Sequence, residues 1–299
     1  MKFTKSSQII NGLSAALQQW LDETLAVLVL YKTPLSESTT FNSLNRSLKE
    51  KNSTLDWFVY DNSPTSNQDF KSSQDTKIMV RFDNSNPGVS KAYNEGYKMA
   101  RSMGKKWVLL LDQDTHFPTD TIEKYVEALT DHSQESCFVP QLIDRIGIIS
   151  PFKFRLGNGF RLNSVSKGIH SLNKLQFINS GMVIRLDAFE KAKGYNEKLK
   201  LDFSDLAFIG RLKRNLSHFI VVDLIGKHSL SGSDKRGVQE DLERFRMYCV
   251  AAREFKSSEL ANLNLALSIL PHALKLSITH SKIIFLKIAL QSIVKSNAQ

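Results

Sequence analysis

The sequence predicts an α/β fold with strands buried on both faces. Three observations lead there. Apolar runs at residues 25–31, 57–60 and 107–111 each close on polar residues, as buried parallel strands do. A glycine-bearing turn at 86–90 runs into apolar positions at helical spacing. The third run stops in two carboxylates, Asp112 and Asp114, separated only by Gln113. Ligands of open α/β sheets gather beyond the carboxyl ends of the strands, so both carboxylates are expected at a crevice.

In chain order, the run Leu25-Ala-Val-Leu-Val-Leu-Tyr31 is the first strand, and Lys32-Thr33-Pro34 closes it, placing Tyr31 and Thr33 at the expected ligand edge. Trp57-Phe-Val-Tyr60 leads into Asp61-Asn62-Ser63-Pro64, where Asp61 can accept hydrogen bonds from a base or ribose, or serve as plain turn chemistry. Asn86-Pro-Gly88-Val-Ser90 precedes the helix that carries Asn94 and Gly96, and the amides of such a turn can face phosphates. Asp112 and Asp114 are hard oxygen donors on one face of an extended segment, suited to Mg²⁺ or Mn²⁺. A solvated turn, or a helix N-cap at Thr115 or Thr119, accounts for them as well.

Taken together, Tyr31-Lys-Thr33, Val59-Tyr-Asp61-Asn62-Ser63, Asn86-Pro-Gly88-Val-Ser-Lys-Ala92-Tyr-Asn94-Glu-Gly96 and Leu110-Leu-Asp112-Gln113-Asp114 resemble family 2 glycosyltransferases, most closely the rhamnosyltransferase-like branch. That branch often reads N-x-G-x-x-x-A-x-N-x-G and L-D-Q-D, and both patterns stand here at the usual distance from each other. The resemblance runs from about residue 25 to 255. It implies a GT-A fold, the Rossmann-like nucleotide-diphospho-sugar transferase architecture, binding a nucleotide sugar and a divalent cation.

Under the resemblance Asp61 meets the nucleobase, Asp112 lies near the ribose and diphosphate, and Asp114 ligates the metal with Asp112 and His228. Tyr31, Thr33, Asn62, Gly88, Asn94 and Gln113 complete the nucleotide-sugar site; the flexible glycines and cations of Ser231-Gly-Ser-Asp-Lys235-Arg236-Gly237 suit a lid that orders on a diphosphate, and equally a solvated loop. The segment 194–211 resembles the family's acceptor region, which usually carries an acidic residue six places before an Arg; Asp205 and Arg211 fit. Asp205 is then the general base. Asp202 is the second candidate, close to one helical turn away if the helix has begun by that point. The residues also allow a plain reading, in which Asp202 or Ser204 caps a helix and Asp205 sits in its first turn. The segment departs from the family at Ala207, where a further acidic residue is usual, and Gly210 lies inside the expected helix. Arg246 is a weaker substrate candidate.

The implied reaction is inverting and metal-dependent, moving a rhamnose-like or other hexose from a dTDP- or UDP-sugar to a lipid-linked, growing bacterial surface polysaccharide such as O-antigen or capsule. A sugar-nucleotide nucleotidyltransferase shares the α/β plan but needs a glycine-rich loop near the N-terminus, and the turn after Tyr31 has no glycine. A non-catalytic basic binding protein is the remaining alternative.

The 299 residues are 41% hydrophobic, ordinary for a chain with a large core, and carry a net charge of +10. No zinc spacing, aromatic RNA-binding motif or dense Lys/Arg run points to nucleic acid. An anionic membrane surface suits residues 260–294, rich in Leu, Ile and Ala and broken by Lys275, Lys282 and Lys287, with Lys295 just beyond. Pro271 is expected to separate two helices there. A helical cap or an oligomer contact fits the same pattern. Three regions follow: a lead-in over 1–24, the catalytic domain over 25–257 with nucleotide and acceptor halves meeting near 120, and C-terminal amphipathic helices over 258–299. Two cysteines without spacing, and an N-terminus lacking an apolar core after Met1-Lys-Phe-Thr-Lys, point to a cytoplasmic protein on the inner face of the membrane.

Overall fold

The structure is a computed structural model that describes residues 15–66, 77–229, 237–259 and 264–297. The helical residues 15–22 bury Leu17, Trp20 and Leu21, and the chain then enters β1 (Thr24–Leu30), whose seven residues are all buried. In order follow α1 (Thr39–Glu50), β2 (Asp56–Asp61), β3 (Ile78–Phe82), α2 (Val89–Ser102), β4 (Trp107–Asp112), the two-residue β5 (Thr115–His116) and α3 (Thr121–Asp131). The second half holds β6 (Cys137–Ile143), β7 (Ile148–Ser150), β8 (Lys153–Arg155), β9 (Asn158–Phe160), β10 (Gly168–Ser171), β11 (Met182–Arg185), α4 (Leu186–Lys191), α5 (Ser204–Leu212) and β12 (His218–His228). Three helices end it: α6 (Val238–Ser258), α7 (Leu265–His280) and α8 (Ile284–Asn297).

Among the described residues ten strands form one sheet, ordered β10-β12-β6-β11-β4-β1-β2-β3, with β5 on β12 and β7 on β6. Strands β1 to β4 are mutually parallel, and their register pairs Leu30 with Asp61 and Val29 with Asp112. The carboxyl ends of β2, β1 and β4 therefore stand side by side. Strand β11 runs antiparallel to β4, so the turn that enters it, residues 179–181, arrives at this same edge. Through β5, which pairs His228 with Thr115, the end of β12 arrives there too. The result is an α/β architecture with a mixed parallel and antiparallel sheet and a helical C-terminal region.

The sheet separates two apolar layers, one under α2, α4 and α5, the other under α1 and α3. A third cluster joins Leu199 and Ala207 to residues of α6, α7 and α8, so 238–258 packs with the C-terminal helices although the sequence groups it with the catalytic domain.

Pro271 does not separate two helices. It lies inside α7, and the break falls at Ser281, which has φ 51°. A proline cannot donate to the carbonyl four residues back. Here that carbonyl, Leu267 O, accepts instead from Asn158 Nδ2 at 3.0 Å, so a contact from β9 supplies the bond the helix lacks.

Candidate active site

The strand-end motif is held from three sides. Gln113 behaves as a backbone partner: its Oε1 accepts from Tyr31 N at 2.7 Å, and its Nε2 donates to Tyr31 O at 3.2 Å and to Thr33 Oγ1 at 2.9 Å. Its carbonyl receives Ser38 Oγ at the start of α1, and Thr40 Oγ1 donates to Asp112 O at 2.5 Å. Gln113, Tyr31 and Thr33 thus form one clamp at the end of β1. Beside it Asp61 is fully buried and its Oδ1 accepts from Ser63 N at 3.0 Å, the turn geometry the sequence allowed. Asn62 Oδ1 is buried with no hydrogen-bond partner among the described residues.

Asp114 Oδ1 and His228 Nδ1 lie 3.5 Å apart at this edge. Burial, reinforced by the negative charge of Asp112 and opposed by His228, pushes the Asp114 carboxyl up to about 6. His228 Nδ1 lies 2.7 Å from Thr115 Oγ1, which lies 2.8 Å from Ser180 Oγ, all buried. Asp114 Oδ1 is itself buried without a hydrogen bond, so the side chain has an unused hard donor next to an imidazole. A carboxylate plus an imidazole suits Mn²⁺ completed by diphosphate and water oxygens, and Mg²⁺ less well because it prefers oxygen. Among the described residues no three of His, Cys, Asp and Glu converge as a ready cage. Asp112, the other expected metal ligand, accepts from the Tyr93 hydroxyl through its Oδ1 at 2.7 Å.

Asp205 opens α5 across the crevice. Its Oδ1 accepts from Asn179 Nδ2 in a short hydrogen bond and from Ser204 Oγ at 3.1 Å. Burial, and after it the charge of Asp112, pushes its carboxyl up to about 7, against the hydrogen bonds that favour the ionised form. Asp202 does not join it. Phe203 adopts the left-handed conformation, φ 63°, immediately before the helix, so the two carboxylates are not on one helical face. Asp202 turns instead to Arg244 of α6 in a bidentate ion pair, Oδ1 to Nη2 at 2.6 Å. Arg211 likewise faces α6: its Nε lies 3.4 Å from Glu259 Oε1.

Two residues of the expected nucleotide site make close contacts within the protein. Gly88, φ 95°, lies against residue 200, where a Cβ would come within 2.2 Å of Lys200 O, and the Val89 amide donates to that same carbonyl at 2.8 Å. Asn94 bridges to the acceptor segment, donating to Tyr195 O and Glu197 Oε1 at 3.0 Å each and accepting from Tyr195 N at 2.8 Å. Gly96 lets α2 lie on β1, since a Cβ there would meet Val27 at 2.4 Å. Lys235 and Arg236 lie outside the described residues, and Arg246 is exposed on α6.

Sequence reasoning missed Tyr93, Asn179, Ser180 and Tyr195. The polar step Asn179-Ser180-Gly181 inside an otherwise apolar stretch was the available signal. Gly181 has φ 86° and packs on Pro140, and Ser180 Oγ accepts from Asp112 N at 3.2 Å. A cavity of about 400 Å³ between β3 and α2, lined by Met79, Arg81, Glu95 and Met99 among others, includes none of these residues.

Residues 55–181 match the family described as Glycosyl transferase family 2. Among solved structures, S. aureus TarS residues 1–349 in complex with UDP is similar at 14% identity and TM-score 0.46, over 83% of this chain and 70% of that one. The same protein with UDP-GlcNAc gives 15% identity and TM-score 0.45, over 83% and 71%. GalNAc-T7 with UDP, GalNAc and Mn²⁺ gives 11% identity and TM-score 0.45, over 88% and 56%. No curated protein matches the sequence.

Proposed function

We propose that this chain, whose residues 55–181 match Glycosyl transferase family 2, is an inverting, metal-dependent glycosyltransferase of the rhamnosyltransferase-like branch. Its donor is a dTDP- or UDP-sugar carrying rhamnose or another hexose. Its acceptor is a hydroxyl of a growing, lipid-linked bacterial surface polysaccharide. The observation that carries the reading is that Asp114 with His228 and, across the crevice, Asp205 converge on one sheet edge while Asp112 raises the proton affinity of both carboxylates.

Asp205 takes the proton of the acceptor hydroxyl, whose oxygen attacks the anomeric carbon as the bond to the diphosphate oxygen breaks and the nucleoside diphosphate leaves. One displacement inverts the anomeric centre. A proton affinity near neutrality suits a base that must accept a proton and release it at every turnover. Asp61 and Asn62 face the nucleobase, and the Gln113 clamp fixes the end of β1 beside it. A divalent cation held by Asp114 and His228 would neutralise charge on the departing diphosphate.

The acceptor reading includes the membrane. Residues 260–299 contain four lysines and no Asp or Glu. Leu267, Leu274 and Ile278 of α7, and Leu290 and Val294 of α8, are exposed. Among the described residues no helix is long and apolar enough to cross a bilayer. Helices of this composition lie in the interface, aliphatic side down and lysines towards anionic headgroups, which puts the enzyme on the inner face of the cytoplasmic membrane beside a lipid-linked acceptor.

The test is calorimetric titration of UDP and dTDP in Mn²⁺ and then in EDTA, beside Asp114→Ala. Binding that requires both the cation and Asp114 is expected. Correctly folded protein that binds neither nucleotide would refute the transferase reading.

A further inference from the structure

We infer that Asn179 is a positioning residue for Asp205 and that Tyr195 locks Asn179 in the orientation this requires. The inference rests on the assignment of Asp205 as base.

The geometry is a chain of fixed parts. Asn179 is buried on a turn tied to the sheet, with Gly181 N donating to Leu110 O at 2.8 Å and Met182 N donating to Asn179 O at 2.8 Å. Tyr195 OH donates to Asn179 Oδ1 at 2.6 Å, and Asn179 Nδ2 donates to Asp205 Oδ1. The Tyr195 ring cannot swing away, because it stacks on Phe208 at 4.2 Å between centroids and 7° between planes, and meets Tyr93 at 5.3 Å on another side.

The orientation of the amide follows from chemistry. Burial holds the Tyr195 phenol well above its usual range, so it keeps its proton and acts as donor. Its acceptor must then be the amide oxygen. The amide nitrogen is thereby aimed at Asp205, whereas the flipped amide would set its oxygen against a carboxylate. Both side-chain donors, Asn179 and Ser204, meet Oδ1 of Asp205, which leaves Oδ2 as the oxygen for the acceptor hydroxyl. The charged groups around Asp205 are Asp112 and, near Tyr195, Arg211; Asp202 is occupied by Arg244. With no cation among the described residues paired to it, the base depends on neutral donors for its placement.

The test uses the full chain labelled with ¹³C at Asp carboxyls, the Asp205 signal being identified by its loss in Asp205→Asn. A hydrogen bond to a carboxylate favours its ionised form. Asn179→Ala is therefore expected to raise the Asp205 titration midpoint, changing proton affinity on the order of tenfold. Tyr195→Phe, which keeps the ring and loses one oxygen, is expected to shift it in the same direction by less. UDP affinity in Mn²⁺ is expected to stay within about twofold, since neither side chain belongs to the nucleotide edge. A lowered melting temperature with an unmoved midpoint in both variants would reduce Asn179 to a structural residue and overturn the inference. If UDP fails to bind the unaltered protein, the transferase reading falls, while the titration still reports whether Asn179 acts on Asp205.

Discussion

Asp202 and Asp205 are three residues apart and have opposite environments. Asp202 lies in the loop before α5, neutralised by a guanidinium that meets both its oxygens. Asp205 lies inside the helix, held by an amide and a hydroxyl, with another carboxylate as its electrostatic neighbour. The left-handed Phe203 between them turns the chain so that one carboxylate faces the C-terminal helices and the other the crevice. A paired carboxylate is a poor base because its charge is already stabilised. An unpaired buried one has the proton affinity the chemistry needs, at a cost in stability. The contrast separates Asp202 from the proposed base Asp205 by partner, where sequence spacing cannot.

The largest expected effect breaks the reactive side. Asp205→Asn should lower sugar transfer by roughly 10²–10⁴-fold, the range of general-base catalysis, while leaving nucleotide binding intact in the same calorimetric assay. Asp202→Asn should leave the chemical step far closer to wild type, and equal losses in the two variants would erase the distinction. Transfer by the unaltered enzyme should fall as pH drops through about 7, because Asp205 must be ionised to accept a proton.

Stability sharpens the comparison further. The folded-state proton affinity of Asp205 is raised, so the native state loses stability as pH rises from about 4, where the unfolded chain begins to ionise, to about 7, where the folded group follows. Thermal melts of Asp205→Asn should therefore show a higher melting temperature than wild type at pH 8 and little difference at pH 4. A variant no more stable at pH 8 would mean that Asp205 is not held under strain.

Breaking the structural side should be milder. Arg244→Ala leaves Asp202 partly buried without its partner; the pair's side chains are 29% and 20% exposed. A cost of about 2 kcal/mol is expected, between the values for exposed and for buried pairs, with transfer reduced because Phe203 and α5 lose their anchor on α6. Denaturant unfolding measures it. The smallest effect is Asn158→Ala, which returns Leu267 O to an unpaired state and should cost about 1 kcal/mol in the same assay, without changing nucleotide affinity.

The strands and the place of the site were legible because their signals are local. Runs such as 25–30 and 107–111 are apolar throughout, and Asp112 and Asp114 interrupt one of them abruptly. The pattern from Asn86 to Gly96 was legible as a pattern, yet its physical meaning was not. Gly88 and Asn94 look like phosphate-site residues until the chain around 195–200, more than a hundred positions later, is seen lying against them. No local pattern singles out Tyr93 and Tyr195, and only their hydroxyl partners, Asp112 and Asn179, distinguish them.

Sequence by itself determined the α/β class, the strand-end carboxylates and the basic, acid-free C-terminal region, since periodicity, chain punctuation and charge are properties of neighbouring residues. Tertiary structure alone decided which carboxylate is paired, which asparagine meets Asp205 and what satisfies the carbonyl that Pro271 leaves open. Those outcomes depend on partners 16 to 109 residues away in the chain, as Asn179 with Tyr195 and Asn158 with Leu267 show, brought together by packing that no local pattern encodes.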